Sequence, residues 1–317
     1  MNQPTLSIIM SVYRPLPQHL DKTIVSVLEQ SMGDFEFIII QDDDLVATRT
    51  MLLSWQSKDA RIVLIENKCN LGLISSLNKG LDASNADLIA RIDVGDWWDV
   101  QKLEMQKKLF DADENLALCG SAMHVVDEVG RSITTLYVAQ IDEAIRELLM
   151  EAKNPFFHPS VMFRKTVLRY NENALYCEDY ELWCRYSMLG KMRNINQPLT
   201  YYQVESSSIT QSKRALMIRA TTNVYCAFRK ALHVNDVSFI NQGLLTSKVQ
   251  SEQSSFEQWS NHWYARAIFS AWKRHTMRKL GYFLLAIVFN PDLITQKLKR
   301  LTCKQKFKKI IHENHPS

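Results

Sequence analysis

Apolar runs alternate with amphipathic stretches through the first third of the chain. Leu6 to Val12 carries hydrophobic residues at almost every position, the pattern of a strand buried on both faces. Tyr13, Arg14 and two prolines, Pro15 and Pro17, follow it and predict a loop. His19 to Gln30 reads as a helix with Leu20, Ile24, Val27 and Leu28 on one face. Phe35 to Ile40 predicts a second strand, Leu45 to Ser57 a second helix, and Arg61 to Ile65 a third strand. Asn70 is placed to cap a helix in which Leu73, Leu77 and Leu81 recur every four residues. Leu88 to Ile92 predicts a fourth strand, and Asp99 a cap for a helix holding Val100, Leu103 and Phe110.

Such alternation argues for an α/β fold, a mainly parallel sheet with helices on both faces. The later pattern is less regular. Leu116 to Val126 and Leu199 to Val204 read as strands, Ile141 to Glu151 and Glu178 to Leu189 as helices. Asn154 to Pro159 reads as a loop, since its two prolines disfavour helix. Ser206 to Ser208 makes a polar break, and from Lys213 the chain looks mostly helical and increasingly basic.

Three acidic clusters lie at the ends of apolar runs: Asp42 to Asp44, Asp93 with Asp96, and Glu178-Asp179. Ligands of open α/β sheets bind beyond the carboxyl ends of the strands. Tyr13, the Asp42 cluster and Asp93 all fall at such ends, so the pattern converges on one crevice. Carboxylates there suit base or ribose recognition, cation binding and proton abstraction, which points to an enzyme acting on a nucleotide-activated substrate.

Composition narrows the class without choosing a function. The 317 residues carry a net charge of +4, too small to imply nucleic-acid binding, and no nucleic-acid motif is present. Six cysteines without a CxxC pair suggest neither a zinc knuckle nor a disulfide framework. The first residues lack the basic start of a signal peptide, and Gly281 to Phe289 is too short to span a bilayer. A cytoplasmic protein is expected. Basic residues flank that apolar stretch, among them Lys273, Arg278, Lys297 and Arg300, a composition that suits docking on an anionic membrane surface. The competing expectation is a helix packed on the catalytic domain with a solvated basic face.

In this order the segments resemble the family 2 glycosyltransferases with a GT-A fold. The matching stretches are Ser7 to Tyr13, Ser26 to Ser31, Phe37 to Asp43, Asn70 to Leu81, Ala90 to Asp96, His158 to Arg164 and Cys177 to Trp183. They cover about residues 5 to 205. The resemblance implies transfer of a sugar from a nucleotide-sugar, a UDP-sugar above all, with inversion. It implies a saccharide or polyprenyl-linked acceptor in surface polysaccharide synthesis, and a divalent cation, Mg²⁺ or Mn²⁺.

Carried over position by position, Tyr13 matches the residue that packs on the base, and Asp42 the acid that hydrogen-bonds it. Asp93 matches the first acid of the DxD-type motif, with Arg91 as a further donor-binding candidate and Asp93 and Asp96 as metal ligands. Asp179 matches the general base, and His158, Glu178 and Trp183 are candidates for the acceptor pocket. Residues 1–205 are expected to form the catalytic domain, with donor binding in about 1–125 and the acceptor side in about 126–205. Residues 206–317 are expected to form a helical basic region. The family commonly has an acid where this chain has Gly95, which bears on the cation and leaves a non-catalytic nucleotide-sugar-binding scaffold as the rival reading. Tyr13-Arg14-Pro15 stands where a dinucleotide-binding oxidoreductase would need GxGxxG. Trp97 and Trp98 are either a sugar-stacking platform or ordinary packing at the sheet end.

Overall fold

Strand β1 (Leu6–Val12) is buried along nearly its whole length because both of its faces are covered. The computed structural model describes residues 3–204 and 213–234. Eight further strands join β1: β2 (Phe35–Gln41), β3 (Ile62–Glu66), β4 (Leu88–Arg91), β5 (Trp97–Trp98), β6 (Leu116–Val126), β7 (Ser132–Leu136), β8 (Met162–Arg164) and β9 (Lys191–Gln203). Their order in the sheet is β3-β2-β1-β4-β8-β6-β9-β5, with β7 pairing outside β6. Strands β3, β2, β1 and β4 run parallel, as do β6 and β9. The pairs β4–β8, β8–β6, β6–β7 and β9–β5 are antiparallel.

On one face, Leu6, Ile8, Met10 and Val12 pack with Phe37 and Ala90 beneath helices α1 (Pro17–Leu28), α2 (Val46–Lys58) and α4 (Lys102–Ala112). Those helices contribute Leu20, Ile24, Val27, Leu52, Leu103 and Phe110 to the same core. Helix α3 (Leu73–Ala83) covers the other face. It comes so close that a Cβ on Gly80 would lie 2.5 Å from Ile9 Cγ2 and 3.0 Å from Ile40 Cδ1. The expectation of helices on both faces therefore holds for the parallel half of the sheet.

Several expected boundaries moved: α4 starts at Lys102 behind Gln101 and not behind Asp99, and β9 starts at Lys191 and not at Leu199. Pro17 is not in the loop but opens α1, where its missing N–H costs nothing and its fixed φ suits the first turn. Gly72, at φ 84°, rather than Asn70, stands at the start of α3, while Asn70 Oδ1 accepts from Gly72 N. Strands β5, β7 and β8 were not expected. They are short, two, five and three residues long, and leave too few positions for a readable period.

The chain divides into two units. The sheet and every candidate site residue belong to the first. The second comprises Leu149–Lys153, Asn173–Cys177 and Ser206–Ser317. Its described part includes helix α7 (Arg214–Val234), whose buried Leu216, Ala220, Val224, Ala227 and Ala231 recur at helical spacing. The basic segment from Lys273 onward lies outside the described residues. Among the described residues no helix is long and apolar enough to cross a membrane.

One buried cation has a measurable consequence. Lys102 opens α4 fully buried, its Nζ 2.8 Å from Gln106 Oε1 and 3.8 Å from the Trp98 ring centroid. Burial pulls its pKa down to about 7, while the unfolded chain keeps the ordinary value of about 10.4. Between these values the unfolded state binds more protons, so this residue makes stability rise with pH from about 7 to about 10. Lys102→Met is expected to raise stability at pH 6.5 and to flatten that rise. Denaturant midpoints of both proteins at pH 6.5 and 9 check this; equal slopes would show that Lys102 does not titrate there.

Candidate functional site

Strands β1 and β2 leave the sheet side by side, Asp42 N donating to Val12 O at 2.8 Å. Tyr13, the next residue along β1, presents a ring that is 50% exposed. Arg14 then enters the left-handed region at φ 45°, which costs a non-glycine residue about 1–3 kcal/mol. Asp43 holds it there, accepting Arg14 N at 2.6 Å together with Leu45 N, Gln41 Nε2 and Thr48 Oγ1. Asp43 is thus a structural acid that aims Tyr13, and Asp44 is exposed.

Asp42 is buried. Its Oδ1 accepts from Asn67 Nδ2 at 2.7 Å and Leu71 N at 2.8 Å, its Oδ2 from Gly72 N at 2.9 Å. This carboxylate ties the loop before α3 to the strand end. A carboxylate offers about four acceptor positions, so one remains for a further donor.

At the end of β4, Arg91 is 2% exposed and its two Nη groups grip Asp93 in a bidentate pair. The Asp93 side chain keeps 42% of its surface open. Arg91 Nε is buried without a hydrogen-bond partner. Asp96 N donates to Asp93 O at 3.2 Å, closing a turn whose third residue is Gly95, at φ 98°. That is the position where a type II turn needs positive φ. A Cβ there would meet nothing nearer than His19 Nδ1 at 3.9 Å, so the constraint is conformational and not spatial. The glycine that breaks the acidic run is thereby explained by the backbone.

A polar stripe along α1 and just past its end holds this turn. Thr23 Oγ1 accepts Gly95 N at 3.0 Å and donates to Asp96 O at 2.7 Å. Ser26 Oγ accepts Trp98 N at 3.2 Å, and Gln30 Oε1, just past the end of α1, accepts Leu103 N at 3.0 Å and so caps α4. Trp98 Nε1 donates to Pro159 O at 2.8 Å and so joins the acidic turn to the loop carrying His158.

His158 begins a short 3₁₀ turn (His158–Ser160), and its Nε2 lies 2.9 Å from Tyr170 Oη. The main chain of Tyr170 is held in turn by Asn78 of α3, through bonds of 2.8 and 2.9 Å. Burial and the nearby Arg91 charge take His158 well below its ordinary range, so its ring is neutral at pH 7. Glu178 and Asp179 open helix α6 (Glu178–Tyr186), the next after α5 (Asp142–Met150). Tyr180 N donates to Asp179 Oδ1 at 2.7 Å, and Asn154 Nδ2 to Oδ2 at 2.5 Å. Burial, then the charge of Asp179, push Glu178 up to about 7, with Asp93 adding to the rise. Burial also raises Asp179, against the hydrogen bonds from Tyr180 and Asn154 and the charge of Arg91. Both side chains still keep part of their surface open, as groups at the floor of a cleft do.

Arg91, Asp93, His158, Glu178 and Asp179 therefore act on one another as one electrostatic cluster. Tyr13 and Asp42 stand at the same end of the neighbouring strands. Residues 7–170, just over half of the chain, match the family model described as glycosyl transferase family 2.

The chain belongs to glycosyl transferase family 2.

An uncharacterised glycosyltransferase of Methanocaldococcus jannaschii is 29% identical over 195 residues, 58% of this chain and 65% of that protein. The alignment thus spans a little under two thirds of that relative. The amylovoran biosynthesis glycosyltransferase AmsE of Erwinia amylovora is 25% identical over 74% of this chain and 88% of its own. Among solved structures, the mannosyltransferase PcManGT of Pyrobaculum calidifontis, in complex with GDP-Man and Mn²⁺, superposes with a TM-score of 0.57 at 14% identity, over 91% and 87% of the two chains. S. aureus TarS in complex with UDP gives 0.55 at 12% identity, over 88% and 89%. At these identities the likeness establishes the GT-A fold.

Several expectations for this family 2 glycosyltransferase need correction. The expected Asp93–Asp96 cation site is not built by the chain itself. Both Asp93 oxygens face Arg91, Asp96 is buried, and no group of three His, Cys, Asp or Glu side chains among the described residues is disposed to hold a metal. Trp183 lines no pocket: it is fully buried and packs edge-on against Phe156, His158 and Phe163. Nor do Trp97 and Trp98 offer a free platform. Tyr201 stacks on Trp97 at 5.3 Å, Lys22 Nζ sits 3.0 Å from the Trp97 ring centroid, and Trp98 is buried.

Sequence reading missed Asn154, Tyr170, Asn78 and the Thr23–Ser26–Gln30 stripe. The stripe had a signal, since three uncharged polar residues recur at helical spacing along the buried side of α1 and just past its end. Asn154 and Tyr170 had none, because loop residues carry no period, and Asn78, on α3, carries no local mark of its distant partner.

Proposed function

We propose that this chain transfers a sugar from a UDP-sugar to a saccharide or polyprenyl-linked acceptor, with inversion, in the synthesis of a surface polysaccharide. The observation that carries this reading is the single cluster formed by Arg91 and Asp93 at a strand end with Glu178 and Asp179 at a helix start. Tyr13 has the exposed ring to pack on a base, and Asp42 the remaining acceptor position for a base N–H. Arg91 brings positive charge where a diphosphate would leave. The acceptor hydroxyl oxygen bonds to the anomeric carbon, the bond from that carbon to the diphosphate oxygen breaks, and the hydroxyl proton passes to Asp179. One displacement of this kind inverts the anomeric centre.

The similarity to a protein of amylovoran biosynthesis supports the polysaccharide setting. The solved structures holding UDP and GDP-Man support a nucleoside-diphosphate donor. A thermal-shift panel of UDP, GDP, dTDP and CMP, each with and without Mn²⁺, tests the donor. Saturating UDP is expected to add about 2–3 kcal/mol, a rise of several degrees, with little from the others. The cognate UDP-sugar should then yield a product of inverted anomeric configuration. A UDP response with no UDP release from any UDP-sugar would leave the non-catalytic nucleotide-sugar-binding scaffold in its place.

A further inference from the structure

Asn154 uses both ends of its side-chain amide. Its Oδ1 accepts from Phe156 N at 3.2 Å, which folds the loop ahead of His158 as an Asx turn. Its Nδ2 donates to Asp179 Oδ2 across 25 residues of sequence. We propose that Asn154 is a positioning residue for Asp179, fixing the rotation of its carboxylate and making Asp179, rather than Glu178, the proton acceptor of the pair. This rests on the reading of Asp179 as the base.

Two adjacent carboxyls in one partly closed site do not both ionise freely, and the proton settles on the member with fewer donors. Burial raises both and Arg91 lowers both, so neither chooses between them. The charge of Asp93 acts on Glu178, and Tyr170 and Cys184 feel Asp179 without donating to it in the neutral pH range. His158 is neutral and engaged with Tyr170. The hydrogen bond that favours ionised Glu178 comes from its own backbone N–H. Asp179 receives one donor on each oxygen, from Tyr180 N and from Asn154. Of these, the Asn154 amide is the one that a side-chain substitution removes.

Carbon-13 NMR of the full chain, labelled at Asp and Glu carboxyls, reads both members of the pair directly. The Asp179 signal is assigned by its loss in Asp179→Asn, and the Glu178 signal by its loss in Glu178→Gln. Asn154→Ala removes both ends of the amide. Asn154→Asp keeps an acceptor for Phe156 N and removes the donor, which separates loop shaping from donation. In both variants the Asp179 midpoint is expected to rise by about one pH unit, more in Asn154→Asp because of the added charge, while the Glu178 midpoint falls in Asn154→Ala. The acid limb of donor turnover should move up with Asp179. An unmoved Asp179 midpoint in Asn154→Asp, in a protein of unchanged melting temperature, would overturn the proposal and leave Asn154 as a loop former. If Asp179→Asn instead keeps full turnover, the base reading fails while the NMR shift still reports on the hydrogen bond.

Discussion

Asp179→Asn is expected to lower sugar transfer by roughly 10²–10⁴-fold while UDP binding stays intact. The substitution removes the proton acceptor, together with the second oxygen that accepts from Asn154 Nδ2. An amide has nearly the same shape, and its oxygen can still accept from Tyr180 N. What is lost is the basicity that makes the acceptor hydroxyl nucleophilic, and general bases are worth about that factor. The wild-type acid limb should also lie above the ordinary aspartate range, because burial raises Asp179. Glu178→Gln replaces a group that holds its proton up to about 7 with a neutral amide, so that limb is expected to stay in place. Steady-state rates from pH 5 to 9, with UDP titrations alongside, check all three outcomes. An Asp179→Asn enzyme turning over within threefold of wild type would show that the proton goes elsewhere.

The second large effect is expected at Arg91. Arg91→Met leaves Asp93, Glu178 and Asp179 without the cation that now lowers Glu178 and Asp179 and grips Asp93. Removing one partner of a buried pair costs about 3–5 kcal/mol. Asp93 is 42% exposed and can rehydrate, so the lower end, about 3 kcal/mol, is the expectation. The pH dependence has a definite sign. Glu178 is raised in the fold, so between the unfolded glutamate value of about 4.3 and its folded value of about 7 the native state holds the extra proton. Its contribution to stability therefore falls as pH rises through that window, and the loss of Arg91 should steepen the fall. Denaturation midpoints of Arg91→Met should drop most at pH 8 and recover toward pH 5. Arg91→Lys keeps the charge and forfeits the fork; it should restore part of the stability and little of the transfer. A pH-independent loss in Arg91→Met would mean that packing, not charge, makes Arg91 matter.

The parallel half of the fold was legible because its signals are local. β1, β2 and β4 are buried on both faces, so unbroken apolar runs marked them. Helices α1 and α3 announced themselves by periodicity. The antiparallel half was not, since β8 has three residues and takes its place from pairing with β4 and β6. At the site, the order of the acids was readable and their present partners were not. Asp42 and Asp43 look alike in sequence, yet one ties down the loop before α3 and the other holds Arg14 at positive φ. Gly95 looked like a missing ligand, and its φ of 98° shows the turn that asks for it.

By itself, then, the amino-acid order determined the alternation of strands and helices, the placing of acids at their ends, and membership of the family. Only the tertiary structure decided that Arg91 faces Asp93, that Asn154 reaches Asp179, and that Asn78 holds Tyr170 from 92 residues away. Periodicity reports which side of an element is buried, a property of neighbouring residues. Hydrogen-bond partners and shared electrostatics depend on which distant segments the sheet brings together, and no local pattern encodes that.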